Sequence, residues 1–294
     1  MNGLVDLHVH SSHSSDGSYT PRELLAMARE KGMRAMSISD HDTVAAYPGA
    51  VEESLAAGVE LIPSVELTTL LDGREFHCLL PFVDPDSPAL GEILAEVAGI
   101  RSVEAKERIR KLQSLGFDIS WEEVIEASGN PTPLGVTIAQ VLVERSGEKN
   151  GPLMEKYVDP RNRSMAPYLF YKDYFMEGKP AYAAKRHVSL LMVLDRAAEC
   201  GGVPVLAHPG AYFEMADGED LALLKDRGLA GLEVYSTYHD QEQVAHYKGL
   251  AKELDLVVTA GSDFHGKIKP HIPFGSQKEG HYGMVEELRK RRGE

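Results

Sequence analysis

Histidines and carboxylates occur in short motifs along the whole length of this chain. The first motif reads Asp6-Leu-His8-Val-His10, and Asp16 follows it. Side chains alternate between the two faces of a strand, so His8 and His10 point to the same side and can reach one metal ion. Mixed imidazole and carboxylate ligands suit Zn, Mn or Fe better than Mg or Ca. The motif therefore predicts a metal site with hydrolytic chemistry.

Residues of the same types lie in distant parts of the sequence. They are found in Asp40-His41-Asp42, at Glu66, at His77, in His208-Pro209 and in Gly261-Ser-Asp263-Phe-His265. A barrel of alternating strands and helices gathers groups from the ends of many strands at one rim. We therefore expect these separate motifs to form one multinuclear site.

The elements between the motifs alternate, which favours an α/β fold with a largely parallel sheet. Short apolar runs predict seven strands, at 4–9, 33–39, 59–65, 76–82, 203–207, 230–235 and 256–260. Thr20-Pro21-Arg22-Glu23 is a capping box that begins a helix reaching about residue 31. Further helices are predicted at 44–57, 189–199, 218–227 and 241–254. The segment Leu71-Asp-Gly73-Arg is short and typical of a turn.

The alternation stops between about residues 85 and 186. Helical periodicity continues at 89–115, 121–127 and 136–145, and a polar, aromatic stretch with several prolines follows. We expect residues 1–84 and 187–294 to form the barrel that binds metal. Residues 85–186 are then a helical insert that acts as a cap and selects the substrate.

Composition excludes several classes of protein. With 43% hydrophobic and 26% charged residues, the chain of 294 residues is expected to fold rather than remain disordered. A net charge of −14 argues against binding long nucleic acid along a basic face. We find no pattern of a signal peptide or membrane span. Only Cys78 and Cys200 are present, which is typical of a cytoplasmic protein.

The ordered set of motifs resembles the PHP (polymerase and histidinol phosphatase) family, specifically its stand-alone phosphoesterases with a helical insert. The resemblance implies a distorted (β/α)7 TIM-like barrel that holds three divalent ions (Mn, Zn or Fe). It assigns His8, His10, Glu66 and Asp263 to a first ion. Glu66 also reaches a second ion, held with His77 and His208. The third ion is assigned to Asp16, His41 and His265.

Residues around the ions are expected to bind the substrate. The resemblance implies that His239, after the strand at 230–235, binds phosphate or donates a proton to the leaving oxygen. Asp263 is expected to serve catalysis as well as metal binding. Arg101, Lys179 and Lys185 of the insert are expected to bind a second phosphate.

Two departures from the family concern the substrate. Relatives that cleave nucleotide 3′,5′-bisphosphates often carry an arginine where this chain has Ala211. They also often have a histidine within the stretch that reads Val136-Thr-Ile-Ala139 here. Both a nucleotide bisphosphate and a cyclic sugar phosphate therefore remain possible small substrates. The oligomeric state is left open.

Alternative functions also remain open. Within phosphoester chemistry they are a phosphatase of the histidinol-phosphate type and an exonuclease that acts on short oligonucleotides. Outside it they are an amidohydrolase-like enzyme that cleaves C–N bonds, and a PHP module without catalytic activity.

Overall fold

The chain divides into two units in a computed structural model that describes residues 3–14, 16–128, 132–145, 150–184, 186–211 and 215–294. The first unit combines Met1–Leu94 with His187–Glu294, and the second is Ala95–Arg186. Strands and helices alternate in the first unit, whereas the described part of the second is helical. The mixed α/β class predicted from the sequence is confirmed.

A small parallel sheet opens the first unit. It consists of β1 (Val5–Val9), β2 (Ala35–Ile38) and β3 (Glu60–Pro63), in that order. Between these strands lie α1 (Pro21–Glu30) and α2 (Ala50–Ala57). The predicted capping box is confirmed, because the Thr20 side chain accepts from the Glu23 N–H and the Glu23 carboxylate accepts from the Thr20 N–H.

The second sheet is mixed, and it differs from the largely parallel sheet that we predicted. Its hydrogen-bonded order is β6-β4-β5-β7-β8-β9, with antiparallel pairing of β5 to both β4 and β7. The strands are β4 (Glu66–Leu71), β5 (Arg74–Leu79), β6 (Val188–Ser189), β7 (Val205–Leu206), β8 (Gly231–Ser236) and β9 (Val257–Gly261).

Two of these strands, β4 and β6, were not predicted. Five of the six residues of β4 are buried. Its sequence, Glu-Leu-Thr-Thr-Leu-Leu, does not alternate polar and apolar residues, so no strand pattern marks it. The predicted turn joins β4 to β5 through Asp72 and Gly73, whose φ values are 50° and 82°. Two central residues with positive φ are typical of a two-residue hairpin with a type I′ turn.

Isolated parallel bridges join the two sheets. One pairs Val9 at the end of β1 with Phe264, and the other pairs His41 with Glu66 at the start of β4. Both bridges lie at motifs that carry histidine or carboxylate. Among the described residues, the assigned ladders form two sheets linked by these bridges and no closed ring of strands.

The remaining helices of the first unit are α8 (Leu190–Arg196), α9 (Gly218–Asp226), α10 (Gln241–Glu253) and α11 (Tyr282–Arg292). We did not predict α11, because four basic residues in its last turn mask a short apolar stripe. That stripe is nevertheless buried, since Met284, Val285 and Leu288 join the core beneath the sheet.

The second unit contains most of α3 (Pro88–Ser114) together with α4 (Trp121–Ser128), α5 (Gly135–Arg145), α6 (Gly151–Val158) and α7 (Ala166–Tyr174). The sequence predicted α3, α4 and α5 but neither α6 nor α7. Prolines in that stretch suggested irregular structure, yet Pro167 lies in the first turn of α7, where its missing N–H costs nothing. None of the described helices is both long enough and apolar enough to cross a membrane.

Candidate metal centre

Glu66, the first residue of β4, lies at the centre of the predicted ligands and is fully buried. Its Oε1 atom is 2.8 Å from His77 Nδ1 and 3.2 Å from His208 Nε2. Its Oε2 atom is 3.0 Å from His41 Nδ1 and 3.2 Å from the Nε2 atoms of both His8 and His10. One carboxylate thus faces five imidazoles that come from distant parts of the sequence.

Asp263 completes a group with His8, His10 and Glu66. Its Oδ1 atom lies 3.3 Å from His8 Nε2 and 3.0 Å from His10 Nε2. One ligand atom from each of the four residues lies within 4.8 Å of the others. This is the group that the family resemblance assigns to a first ion.

Asp16 and His265 form the other side of the cluster. His265 Nε2 is 3.2 Å from Asp16 Oδ2, and His41 Nε2 is 3.8 Å from the same oxygen. Ligand atoms of Asp16, His41 and His265 converge together with His10, and His41, Glu66 and His77 form a further group. The structure therefore brings all nine predicted ligands into one cluster, while their division among individual ions remains a prediction.

Several atoms of the cluster are buried without a hydrogen bond among the described residues. They include His41 Nδ1, Glu66 Oε2 and His265 Nε2. His41 Nδ1 and Glu66 Oε2 are only 3.0 Å apart, yet the geometry between them is not that of a hydrogen bond. Unpaired buried polar atoms are costly unless another group binds them. Imidazole nitrogens and carboxylate oxygens in this arrangement fit divalent metal ions.

The electrostatics of much of the cluster favour positive charge, with His41 as an exception, because burial together with His10 and His77 lowers its pKa well below the usual range. Burial alone would raise the pKa of Glu66, but His41, His8 and His77 outweigh it and hold that pKa well below its usual range. Burial alone would lower the pKa of His10, yet Asp263 and Glu66 raise it to about 9. The pKa of His77 is raised to about 10, against its own burial, by Glu66 and Glu75. Carboxylates that stabilise extra protons also stabilise metal cations.

Backbone geometry places two of the ligands. His208 and Asp263 have φ values of 27° and 54°, in the left-handed region that non-glycine residues rarely adopt. The Asp263 N–H donates to the His8 carbonyl oxygen at 2.9 Å, which fixes the motif to β1. Strain of this kind persists only where surrounding contacts hold it, and it concentrates at functional sites.

Glu233, in the middle of β8, is a site residue that the sequence analysis missed. Its Oε1 atom is 3.0 Å from His8 Nδ1, and its Oε2 atom accepts the His208 N–H at 2.8 Å. Gly261 on β9 leaves room for this pair, since a Cβ there would lie 2.1 Å from Glu233 Oε1 and 2.3 Å from the His8 Cβ. A carboxylate within an otherwise apolar strand was the available signal.

His239, predicted to bind phosphate or donate a proton, contacts backbone groups through both of its ring nitrogens. Its Nδ1 atom lies 2.8 Å from the Val234 carbonyl oxygen, and its Nε2 atom accepts the Gly210 N–H at 2.9 Å. Both ring nitrogens are therefore used by backbone groups, and burial lowers the pKa of the imidazole. The side chain thereby fixes the turn after His208, and its part in binding phosphate or donating a proton stays a prediction.

A cavity opens beside the cluster, and its wall includes the following residues: His41, Glu75, Phe76, His77, Ala207, His208, Ala211, Tyr238, Asp263 and Lys269. The small Ala211 side chain stands where an arginine was expected for a bisphosphate-cleaving relative. The predicted cations Arg101 and Lys179 belong to the helical unit, and Lys185 lies outside the described residues.

Comparison with known proteins agrees with this site. The family model described as "PHP domain" matches residues 6–115. The chain is 29% identical to the phosphoribosyl 1,2-cyclic phosphate 1,2-diphosphodiesterase of Eggerthella lenta, over 92% of this chain and 98% of that protein. It is 28% identical to the 5′-3′ exoribonuclease Rnm of Salmonella typhimurium, over 89% of this chain and 85% of that protein.

A solved structure resembles the fold as well. It is described as a metal-dependent phosphoesterase from Bifidobacterium adolescentis, with a TM-score of 0.78 and 29% identity. The match covers 98% of this chain and 96% of that one. Residues 6–115 thus match a PHP domain, and the whole chain is similar to metal-dependent phosphoesterases, as its motifs predicted.

Proposed function

We propose that this protein is a metal-dependent phosphoesterase that hydrolyses a small phosphorylated metabolite. The observation that carries the proposal is the convergence of nine imidazole and carboxylate ligands around the buried Glu66 carboxylate. Their donor atoms fit Mn, Zn or Fe, and the full set is sufficient for three ions. Support also comes from the phosphoesterase names of relatives that match nearly the whole chain.

We propose that the ligands divide among the ions as the family resemblance suggests. Glu66 presents one oxygen to His8, His10 and His41 and the other to His77 and His208, so its carboxylate can be shared between ions. Bound divalent ions would supply a nucleophile from water near neutral pH and neutralise charge on the phosphoryl oxygens. Glu233 keeps the His8 ring fixed for this purpose.

The protein's own groups define where the substrate meets the ions. His77 and His208 are partly exposed and line the cavity, whereas His8, His10 and Glu66 are fully buried behind them. A phosphoryl group that enters the cavity therefore meets the side of the cluster formed by His77, His208 and Asp263. The buried ligands exclude water from the opposite side, which strengthens their electrostatic effect.

The substrate we favour is a cyclic sugar phosphate. Ala211 and Val136-Thr-Ile-Ala139 lack the groups expected of a nucleotide bisphosphatase, and one relative is named for a phosphoribosyl cyclic phosphate. A short RNA end is the second candidate, because another relative is named a 5′-3′ exoribonuclease. In both cases we expect a phosphoester bond to be broken beside His77 and His208.

The distorted barrel expected from the family is also part of this proposal. The bridges Val9–Phe264 and His41–Glu66 support it, because each connects the end of one sheet to the other at a ligand motif. The helical insert at 85–186 is proposed to select the substrate, through Arg101, Lys179 and Lys185.

A substrate panel tests the proposed function. Protein loaded with Mn²⁺ or Zn²⁺ is incubated with cyclic sugar phosphates, nucleotide 3′,5′-bisphosphates, short 5′-phosphorylated RNA and p-nitrophenyl phosphate. Product formation is followed by phosphate release and mass spectrometry, and elemental analysis gives metals per chain. We expect phosphoester cleavage at close to three metals per chain. Absence of cleavage from every ester would contradict the function, and an active protein with at most one metal would contradict the trinuclear site.

A further inference from the structure

Lys269 places a positive charge beside the predicted metal ligands. Its ammonium nitrogen lies 2.9 Å from Asp263 Oδ2 and 2.9 Å from Tyr238 Oη. The other carboxylate oxygen of Asp263 faces His8 and His10. Asp263 therefore joins the metal cluster on one side to a lysine and a tyrosine on the other.

Tyr238 is built into the same network. Its hydroxyl donates to Asp263 Oδ2 and accepts from Lys269, and its ring packs edge-on against His208 at 5.3 Å between centroids. The ammonium also lies 5.7 Å from the centre of the Tyr238 ring. These contacts fix the position of the lysine, although its stem is long and flexible.

The position of Lys269 is suited to an anion. It lines the cavity together with His77, His208 and Asp263, and its side chain is 30% exposed. Among the described residues that line this cavity, Lys269 is the only lysine, and there is no arginine. An ammonium has three N–H donors, and the contacts to Asp263 and Tyr238 use two of them. The third donor can reach a ligand in the cavity.

We propose that Lys269, positioned by Tyr238, forms a phosphate-binding subsite next to the metal centre. The group that it binds is a phosphoryl oxygen of the substrate, so the inference rests on the proposed phosphoesterase function. This cation comes from the loop after His265 in the first unit, whereas the substrate cations predicted from the sequence belong to the insert. A compact ammonium is a common ligand for phosphate as a point charge.

A competing explanation is that Lys269 only balances the charge of Asp263. The two explanations differ in what is lost when the lysine is removed. A phosphate-binding lysine affects affinity for phosphate and leaves metal content intact. A lysine that only supports Asp263 affects metal content, because Asp263 would no longer be held toward His8 and His10.

The test measures binding of inorganic phosphate to the Mn²⁺-loaded protein by calorimetry, together with bound Mn²⁺ by elemental analysis. The variants are Lys269→Met, Lys269→Arg and Tyr238→Phe. Lys267→Met is the matched control, since Lys267 lies in the same loop but is exposed, 5.9 Å from the centre of the Tyr19 ring. Circular dichroism establishes that each variant is folded.

We expect Lys269→Met to weaken phosphate binding roughly 10- to 150-fold, as for one charged hydrogen bond, with unchanged Mn²⁺ content. Lys269→Arg should retain most of the affinity, Tyr238→Phe should lose a few-fold, and Lys267→Met should match the wild type. Wild-type phosphate affinity in folded Lys269→Met, or loss of Mn²⁺ from it, would overturn the subsite. Because phosphate binding needs no turnover, a wild-type protein that binds phosphate through Lys269 but cleaves no ester would refute only the proposed function.

Discussion

The two units of this protein bury different kinds of residue. The first unit buries ionisable side chains together, including His8, His10, Glu66, Glu233 and Asp263. The core of the helical unit is instead mainly apolar and aromatic, and the rings of Phe117, Tyr157 and Phe175 each contact that of Phe170. Burying charge is costly unless it is paired or binds metal, so the first unit gives up stability to obtain reactive groups.

Backbone conformation follows the same division. The non-glycine residues with positive φ that the structure describes all lie in the first unit, and His208 and Asp263 are among them. In the described part of the helical unit, positive φ occurs at glycines such as Gly116 and Gly178, where it carries little strain. The comparison indicates that the first unit is organised for chemistry and the second for stable packing.

The largest effect is expected from removing a predicted metal ligand in the first unit. Asp263→Ala or His265→Ala should lower turnover by more than about 100-fold, because loss of even an indirect partner of a ligand typically costs 10- to 100-fold. The fold should survive. Asp195→Ala, which removes an exposed carboxylate from α8, is the control. Phosphate release and bound metal are measured together, and near-normal activity in Asp263→Ala would refute the assignment.

The next effect concerns the cations of the insert. Arg101→Ala and Lys179→Ala should raise KM for substrates with two phosphates by roughly 10- to 150-fold, the cost of one charged hydrogen bond. The kcat value and the hydrolysis of p-nitrophenyl phosphate should change little, because the remote phosphate is bound equally in the ground and transition states.

Lys185→Ala should behave in the same way, and Arg161→Ala, at an exposed position beside Asp159, is the control. Equal losses on the generic ester and on the two-phosphate substrate would show that these cations act on the reacting centre or on the fold. The difference in role that we infer for the two units would then be wrong.

The clustering of the candidate metal ligands was more predictable from sequence than the fold around them, although their binding of metal stays a prediction. His8 and His10 are two residues apart on a strand, so local geometry alone places both rings on one face. The other ligands were found because they lie in short motifs of polar residues at strand ends. Local patterns also predicted β1, β2 and α1 close to their observed bounds, from two short apolar runs and from the capping box at Thr20.

Contacts that depend on long-range pairing could not be predicted. Glu233 reaches His8 only because β8 pairs with β9 and because Gly261, on β9, has no side chain to block the contact. Lys269 reaches Asp263 through a loop whose path no local pattern indicates. His239 was predicted to act on the substrate from its place in the sequence, yet backbone groups take both its ring nitrogens.

Glu233 allows a sharper test of how the first unit supports its ligands. Glu233→Gln should weaken Mn²⁺ affinity roughly 10- to 100-fold, as is typical when the carboxylate partner of a ligating histidine is lost. Gly261→Ala should act in the same direction, because its new Cβ would displace the pair. Controls are Glu253→Gln and Gly249→Ala, both on α10, where a Cβ at position 249 meets no atom within 4 Å.

Mn²⁺ affinity is measured by competition with a chelator, and thermal melting shows whether each variant folds. If Glu233→Gln binds Mn²⁺ as the wild type does while Gly261→Ala does not, then packing rather than the carboxylate positions His8.

The last prediction is a pH dependence that should separate the metal-free from the metal-loaded protein. Without metal, the raised pKa values of His10 (about 9) and His77 (about 10) keep both rings protonated at pH 7. Because metal binds the neutral imidazole, loading must release these protons. Affinity for Mn²⁺ should therefore rise with pH, by up to about tenfold per pH unit for each proton displaced, and level off above about pH 10.

The stability of the metal-free protein should change in the opposite direction. A histidine whose pKa is raised on folding stabilises the fold fully below its ordinary pKa of 6.5, and that stabilisation is lost as the pH rises through 9 to 10. Melting temperatures and calorimetry in buffers of different ionisation enthalpy measure both trends. A metal affinity that stays flat between pH 6.5 and 9 would show that the histidines are already neutral. The negative field of Glu66 and Asp263 would then be too weak to draw cations into the first unit.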